Sequence, residues 1–211
     1  MSAAREAERR RDRREKQIIG AHPRIGRAIL ALTNEPRSTR SWQDGAIGER
    51  ALGRMLERLR GSGFGVLHDR RIPGLKANID HLVIGPAGVF VIDAKRYGGK
   101  VGRRDRGWLL SRDWRLYVDG RDRTKLVQGM RRQVEAVRAG LDSISASECR
   151  VIPVLCFVDS QWALFATPFV FGDVRVVWPK MLVKLLRAEG PLTHDEIMRL
   201  ERLLALALPG H

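Results

Sequence analysis

The chain has 211 residues, of which 44% are hydrophobic, so it can build one substantial core. Its 39 Lys and Arg residues outnumber its 24 Asp and Glu residues, giving a formal net charge of +15. This excess favours a polyanionic partner, nucleic acid before a membrane surface, and the open alternative is a charge that serves only solubility. No apolar run reaches the ~18 residues of a membrane span, and the charged start lacks the apolar segment of a signal peptide. The two cysteines, Cys149 and Cys156, fit neither a metal spacing nor a disulfide framework, which indicates a reduced, cytoplasmic setting.

The beginning of the chain is predicted to stay outside the core. Residues 1–17 are dominated by charge and carry almost no large apolar side chain, so we expect a solvated or frayed arm, with loose phosphate binding as the alternative. An apolar stretch from Ile25 to Leu32 predicts a short helix, and the polar, Pro-containing residues after it predict a linker.

The first firm helix is predicted from Asp44, a good N-cap residue, to Arg60, where a Gly-Ser-Gly sequence ends it. Its apolar stripe has helical spacing and consists of Leu52, Met55, Leu56 and Leu59. Glu49 lies at the margin of this stripe, where an acid can reach inward past the helix edge. The alternative is a first-turn Glu that only favours the helix dipole.

The most informative stretch runs from Asn78 to Lys95 and predicts a β-hairpin. Two runs rich in Val, Ile and Phe flank the turn sequence Gly-Pro-Ala-Gly at residues 85–88. That turn sets Ile84 opposite Val89, Leu82 opposite Val91 and Asp80 opposite Asp93. Because side chains alternate along a strand, Asp80, Asp93 and Lys95 are then expected on one face. Carboxylates facing each other across a ladder repel, so their presence beside a lysine predicts a bound cation.

The remaining pattern predicts an α+β fold with a mixed central sheet flanked by helices. Strands are expected at 64–71, at 151–158, where the near-continuous apolar run indicates a central strand, and at 174–178. Trp108–Leu110 and Trp114–Val118 are expected to form a further strand pair, with Asp119-Gly120 as a turn. Helices are expected at 124–141, at 179–187 and from the Thr193/Glu196 capping box to about residue 206.

Basic residues surround Trp108 and Trp114 in the middle of the chain. Arginine interleaved with aromatic residues can hold phosphates and stack bases. The alternative is a pair of core tryptophans among merely exposed arginines. The candidate nucleic-acid-binding residues are Lys100, Arg103, Arg104, Arg106 and Arg112.

Three acids and one lysine can meet if the helix that carries Glu49 packs near the open end of the hairpin. Hard divalent cations prefer carboxylate oxygen, and Mg²⁺ takes one or two carboxylates and keeps several waters. The expected cofactor is Mg²⁺, or Mn²⁺ in its place, with Asp80, Asp93 and Glu49 as candidate ligands. Such an ion can polarise a phosphodiester oxygen and lower the pKa of a bound water. Lys95 could then orient that water or neutralise charge in the transition state.

The sequence resembles the nuclease-related domain (NERD) family of the PD-(D/E)xK nuclease-like superfamily. The resemblance is carried by Gly45–Arg50, by the hairpin from Asn78 to Lys95, by Gly98-Gly99 and by Gln128, and covers roughly residues 42–157. It implies a restriction-endonuclease-like core and a metal-dependent nuclease centre. Glu49, Asp80, Asp93 and Lys95 fall on the family's acidic and lysine positions, and Gln128 falls on its helix glutamine.

These observations predict three segments and one leading function. The segments are a basic arm and linker at 1–41, the nuclease-related core at 42–160, and a strand–helix extension packed on the core at 161–211. The leading function is metal-dependent hydrolysis of nucleic acid, with DNA as the expected substrate. Two alternatives stay open: a non-catalytic nucleic-acid-binding module, and a protein-interaction scaffold that keeps the fold. The sequence leaves the oligomeric state open.

Overall fold

The computed structural model describes residues 37–75, 77–108, 111–162 and 167–210, with the backbone alone for residues 37–48. The predicted N-terminal arm and the predicted helix at Ile25–Leu32 lie outside the described residues. Four helices are described: α1 (Arg37–Arg60), α2 (Lys125–Ser143), α3 (Pro179–Leu186) and α4 (His194–Ala207). The described strands are β1 (Gly65–Arg71), β2 (Asn78–Gly85), β3 (Gly88–Lys95), β4 (Val101–Asp105), β5 (Trp114–Val118), β6 (Arg121–Asp122), β7 (Val151–Phe157), β8 (Phe169–Phe171) and β9 (Val174–Val177).

A six-stranded mixed sheet forms the centre, in the order β1-β2-β3-β7-β9-β8. Strands β3, β7 and β9 run parallel, whereas β1, β2 and β8 join by antiparallel pairing. A second, three-stranded sheet has the order β4-β5-β6. The predicted α+β class with a mixed sheet flanked by helices is therefore confirmed.

Helices cover both faces of the central sheet. Apolar residues of α1 and α3, among them Leu56 and Leu182, pack on the face that carries Phe90 and Ile92. Apolar residues of α2 and α4 pack on the opposite face, together with Leu116 of the second sheet. Strand β7 is consequently buried from Ile152 to Phe157, as the continuous apolar run predicted.

Pro153 lies inside this central strand, a position where proline is rare. The structure explains why it is tolerated. Pro153 pairs with Val91 on the β3 side, and the ladder between β7 and β9 begins only at Val154. The missing N–H of Pro153 therefore removes no bond from the β9 ladder.

The β2–β3 hairpin has the predicted register. Ile84 pairs with Val89 and Leu82 pairs with Val91, and the turn closes between Gly85 and Gly88. Gly88 has φ of +132°, and a Cβ at this position would lie 2.3 Å from the Arg150 carbonyl oxygen, so only glycine fits here. The turn thus fixes which side chains of β2 and β3 share a face.

Two predicted element boundaries were wrong. Helix α1 begins at Arg37 rather than at Asp44, so Glu49 lies in the middle of the helix. The partner of β5 is β4, which pairs from Val101 with Val118 to Asp105 with Trp114. Trp108 makes only an isolated bridge with Ser111, and Leu109 and Leu110 lie outside the described residues.

The C-terminal helix has the predicted capping box. The Thr193 hydroxyl accepts a hydrogen bond from the Glu196 backbone N–H, and the Glu196 side chain accepts one from the Thr193 N–H. Within the described residues, no helix combines the length and the apolarity needed to cross a bilayer.

Candidate active site

The ends of β2 and β3 bring Asp80, Asp93 and Lys95 together. We call these three side chains the acid–lysine group. The Lys95 ammonium lies 2.5 Å from the Asp93 carboxylate, and Asp93 is only 5% exposed. The Asp80 carboxylate accepts a hydrogen bond of 3.1 Å from the Ala94 backbone N–H, so this side chain closes the end of the β2–β3 ladder. The alternation predicted from the sequence therefore produces a partly buried cluster of two acids and one lysine.

The carboxyl groups of Asp80 and Asp93 lie within electrostatic reach of each other. Burial raises the pKa of Asp80 well above its ordinary value, and the charge of Asp93 raises it further. Two negative charges held close together at a partly buried site repel each other. The proximity of the two acids therefore favours a nearby positive charge, either a proton or a cation.

Lys95 supplies one such charge. Burial acts to lower its pKa, but the charges of Asp93 and Asp80 outweigh this effect and raise the pKa above its ordinary value. Lys95 is therefore a cation at neutral pH, although it lies among buried groups. Its backbone pairs with Phe157 of β7, which fixes the position from which the side chain starts.

Glu49 approaches the acid–lysine group from helix α1. Burial raises the pKa of Glu49, Asp69 raises it further, and Lys95 lowers it, so these charges lie within electrostatic reach of one another. The first-turn explanation for Glu49 is wrong, because the helix starts twelve residues earlier, at Arg37. Glu49 is half-buried and belongs to the surroundings of the acid–lysine group.

Gln128 stands apart from the other candidate residues. It lies in the first turn of α2 with its side chain exposed to solvent, next to the buried Val127. In the described part of the chain, no hydrogen bond joins Gln128 to Asp80, Asp93 or Glu49. Its role stays a prediction.

The candidate nucleic-acid-binding residues lie on or beside the second sheet. We call β4, β5 and β6, with the described residues that connect them, the basic sheet. Arg103 and Arg104 lie in β4, while Arg106 and Arg112 lie in the exposed connection to β5. Lys100 directly precedes β4 and lines a cavity of about 330 Å³ with Arg104 and Tyr117.

The family model of the nuclease-related domain matches residues 44–158, more than half of the chain. The chain belongs to the nuclease-related domain family. No match was found among the curated proteins or among the solved structures.

The matched nuclease-related domain contains Glu49, Asp80, Asp93, Lys95 and Gln128, so every candidate catalytic residue lies inside it. Membership in this family indicates a nuclease-related function and an interaction with nucleic acid.

Oxygen donors in the nuclease-related domain suit a hard cation. Among residues whose positions are described, no three His, Cys, Asp or Glu side chains are grouped closely enough to hold a metal ion. Mg²⁺ does not require three, because it binds through one or two carboxylates and completes its shell with water. The neighbouring acids Asp80 and Asp93 therefore have donor chemistry that fits Mg²⁺, with Glu49 as a further acid nearby.

The structure contains a pair of histidines near Glu49 that was not predicted from the sequence. His68 and His81 are directly opposite each other in the β1–β2 ladder, and their Nδ1 atoms lie 2.7 Å apart. The Nε2 atom of His68 lies 2.8 Å from the Glu57 carboxylate of α1. Burial lowers the pKa of His81 to about 3, so this ring is neutral, and the Glu49 backbone contacts it.

This pair fixes α1 on the sheet close to Glu49. A Cβ added at Gly53 would lie 3.4 Å from the His81 ring, so the helix approaches the sheet closely at this turn. Strand alternation in the sequence already indicated that His81 lies on the face opposite to Asp80. This alternation could not predict the contact with His68, because the loop between β1 and β2 does not reveal which residue of β1 faces His81.

Proposed function

We propose that this chain is a metal-dependent nuclease that hydrolyses phosphodiester bonds, with DNA as its substrate. The observation that carries the proposal is that Asp80 lies close to the buried Asp93, which binds Lys95, where strands of the central sheet end in a nuclease-related domain. Burying two carboxyl groups against each other opposes folding, because each loses water and each repels the other. A cation bound between the two carboxylates would offset this repulsion.

In this proposal Asp80 and Asp93 are the ligands of Mg²⁺ or Mn²⁺, and Glu49 supports them as a third acid. The ion would supply Lewis-acid chemistry, polarising a phosphodiester oxygen and lowering the pKa of a water. Lys95 is held by Asp93 in a charged state, from which its ammonium can orient the attacking water or stabilise negative charge that develops on the phosphate. The Ala94 N–H fixes the Asp80 carboxylate and so orients the first ligand.

The distribution of charge supports a polyanionic substrate. The acid–lysine group would repel a phosphate by itself, whereas the whole chain carries a net charge of +15. The basic sheet follows β3 directly in the chain, after a connection of five residues from Arg96 to Lys100. Positive charge next to the candidate site therefore provides the attraction that brings a polyanion to it.

The test is a cleavage assay with supercoiled plasmid and linear DNA, with Mg²⁺ or with EDTA. We expect cleavage with Mg²⁺ only, and its loss in Asp93→Asn, which keeps the side-chain size but removes a charged ligand. Asp173→Asn is the matched control, because Asp173 is exposed in the turn between β8 and β9. It should cut DNA like the unaltered chain.

Three results would overturn parts of the proposal. Cleavage that survives Asp93→Asn would refute the site assignment. DNA binding without cleavage under Mg²⁺ and Mn²⁺ would favour the non-catalytic module, and the absence of both at low salt would favour the scaffold. Cleavage of RNA alone, in parallel reactions, would refute DNA as the substrate.

A further inference from the structure

The basic sheet has a strong excess of positive charge. From Lys100 to Arg123 the chain contains eight Lys and Arg residues and four Asp residues. Three of these acids are engaged within the sheet itself. Asp105 accepts hydrogen bonds of 2.9 Å from the backbone N–H groups of Gly107 and Asp113, Asp113 pairs with Arg115, and Asp122 accepts from the Thr124 N–H.

Aromatic rings lie among these cations and are open to solvent. Trp108, in the connection between β4 and β5, is 83% exposed, and Trp114 is 39% exposed. These values exclude the alternative of two core tryptophans. An indole ring left in water forgoes the stabilisation of burial, and aromatic faces exposed among arginines are a typical surface for stacking nucleobases.

Two other aromatic rings of the basic sheet are already in contact with guanidinium groups. The guanidinium of Arg103 lies 4.7 Å from the Trp114 ring centroid, and that of Arg104 lies 4.7 Å from the Tyr117 ring centroid. These cation–π contacts hold the two arginines in place at the surface. Among the rings described in the basic sheet, Trp108 is the most exposed and is the one most available to a base.

Strand β4 leads from the β3–β4 connection toward Trp108. It spans ~14 Å from Val101 to Asp105 at a rise of 3.4 Å per residue, and Trp108 follows three residues after its end. The cavity of about 330 Å³ lies at the near end of β4 and is lined by Gly99, Lys100, Arg103, Arg104 and Tyr117. A strand lying on the face of β4 that carries Arg104 would therefore pass Lys100 and Arg104 between the cavity next to the β3–β4 connection and the exposed indole.

We propose that the basic sheet binds single-stranded DNA, with Trp108 stacked on an unpaired base and the arginines on the backbone phosphates. The inference rests on the proposed function only in taking nucleic acid as the substrate. Bases of an intact duplex are stacked inside it and present no free face to Trp108, whereas every unpaired base has one. The chain therefore prefers single-stranded DNA, or the single-stranded part of an end or flap, over intact duplex.

The test measures binding in EDTA, so that hydrolysis cannot interfere. Fluorescence anisotropy is recorded with one labelled oligonucleotide, as a single strand and as a blunt duplex. Trp108→Ala is expected to weaken single-strand binding about 5- to 100-fold and to leave duplex binding nearly unchanged. Trp108→Tyr should keep most of the affinity, because a ring face remains.

A stacking readout and a matched control complete the experiment. A 2-aminopurine base in the single strand should lose fluorescence on binding the unaltered chain, and this quenching should disappear in Trp108→Ala. Leu206→Ala is the control, because Leu206 is 80% exposed and lies on α4, outside the basic sheet. It should change neither affinity nor quenching.

Unchanged single-strand affinity in Trp108→Ala would overturn the inference, as would an equal loss for single strand and duplex. Failure of the unaltered chain to bind either form would overturn it as well. Failure of this inference can be distinguished from failure of the proposed function. Mg²⁺-dependent cleavage that needs Asp93 but not Trp108 would leave the nuclease proposal intact, and Trp108-dependent binding without cleavage would leave only this inference standing.

Discussion

Asp80 is the residue at which folding and proposed function conflict. It is half-buried, its pKa is raised by burial and by Asp93, and it lies close to that second acid. Side chains that destabilise the fold are found where function needs them, and their replacement commonly stabilises a protein. The conflict can be measured directly.

We predict that Asp80→Asn stabilises the fold by about 1 kcal/mol and abolishes cleavage. The amide oxygen can still accept the Ala94 N–H, the amide nitrogen can donate to Asp93, and no second charge is buried. Urea unfolding of the variant and the unaltered chain at the same pH measures the change in the free energy of unfolding. Asp173→Asn should alter stability by less than about 0.5 kcal/mol. A loss of more than 1 kcal/mol in Asp80→Asn would show that the charged pair stabilises the fold.

Turn chemistry made the β2–β3 hairpin the best-predicted element. Residues 85–88 admit few registers, and a one-residue slip would have moved Leu82 and Ile84 to the other face of the sheet, so the positions of Asp80 and Asp93 followed from the sequence. Residues 37–43 carry no apolar stripe, so periodicity could not show that α1 begins at Arg37. The pairing of β1 with β2, and with it the His68–His81 contact, depends on a loop whose geometry the sequence does not specify.

The junction between β3 and β4 gives a prediction at the scale of elements. Gly99 has φ of +90°, and a Cβ there would lie 2.5 Å from the Asp119 Cβ, whereas a Cβ at Gly98 would meet no atom within 4 Å. We expect Gly99→Ala to destabilise the fold by about 2 kcal/mol, because it adds a left-handed backbone penalty to the clash. Thermal unfolding compares it with Gly98→Ala, which should be nearly neutral. Equal effects of the two substitutions would show that the junction does not depend on this close approach.

At the scale of the whole molecule, the net charge is +15. We expect one part of the positively charged surface, and not the whole of it, to bind nucleic acid. The basic sheet, next to the acid–lysine group, should carry the phosphate contacts. Other arginines, such as those on the exposed face of α2, would then contribute little to binding.

We predict that replacing Arg103, Arg104 and Arg106 together by alanine lowers DNA affinity and flattens its salt dependence. For a single strand, three lost phosphate contacts should reduce the slope of log affinity against log salt by about 2. Arg131, Arg132 and Arg138 of α2 are also exposed, and their replacement removes the same charge. That control variant should keep the slope of the unaltered chain. An equal reduction in both variants would mean that net charge, and not the basic sheet, determines binding.

The most direct test of the proposed metal centre needs no substrate. Mn²⁺ is titrated into the unaltered chain and into Asp93→Asn in a calorimeter, with Asp173→Asn as the control. We expect saturable Mn²⁺ binding by the unaltered chain and by the control, and its loss in Asp93→Asn. Absence of binding by the unaltered chain, or equal binding by Asp93→Asn, would contradict the proposed metal centre.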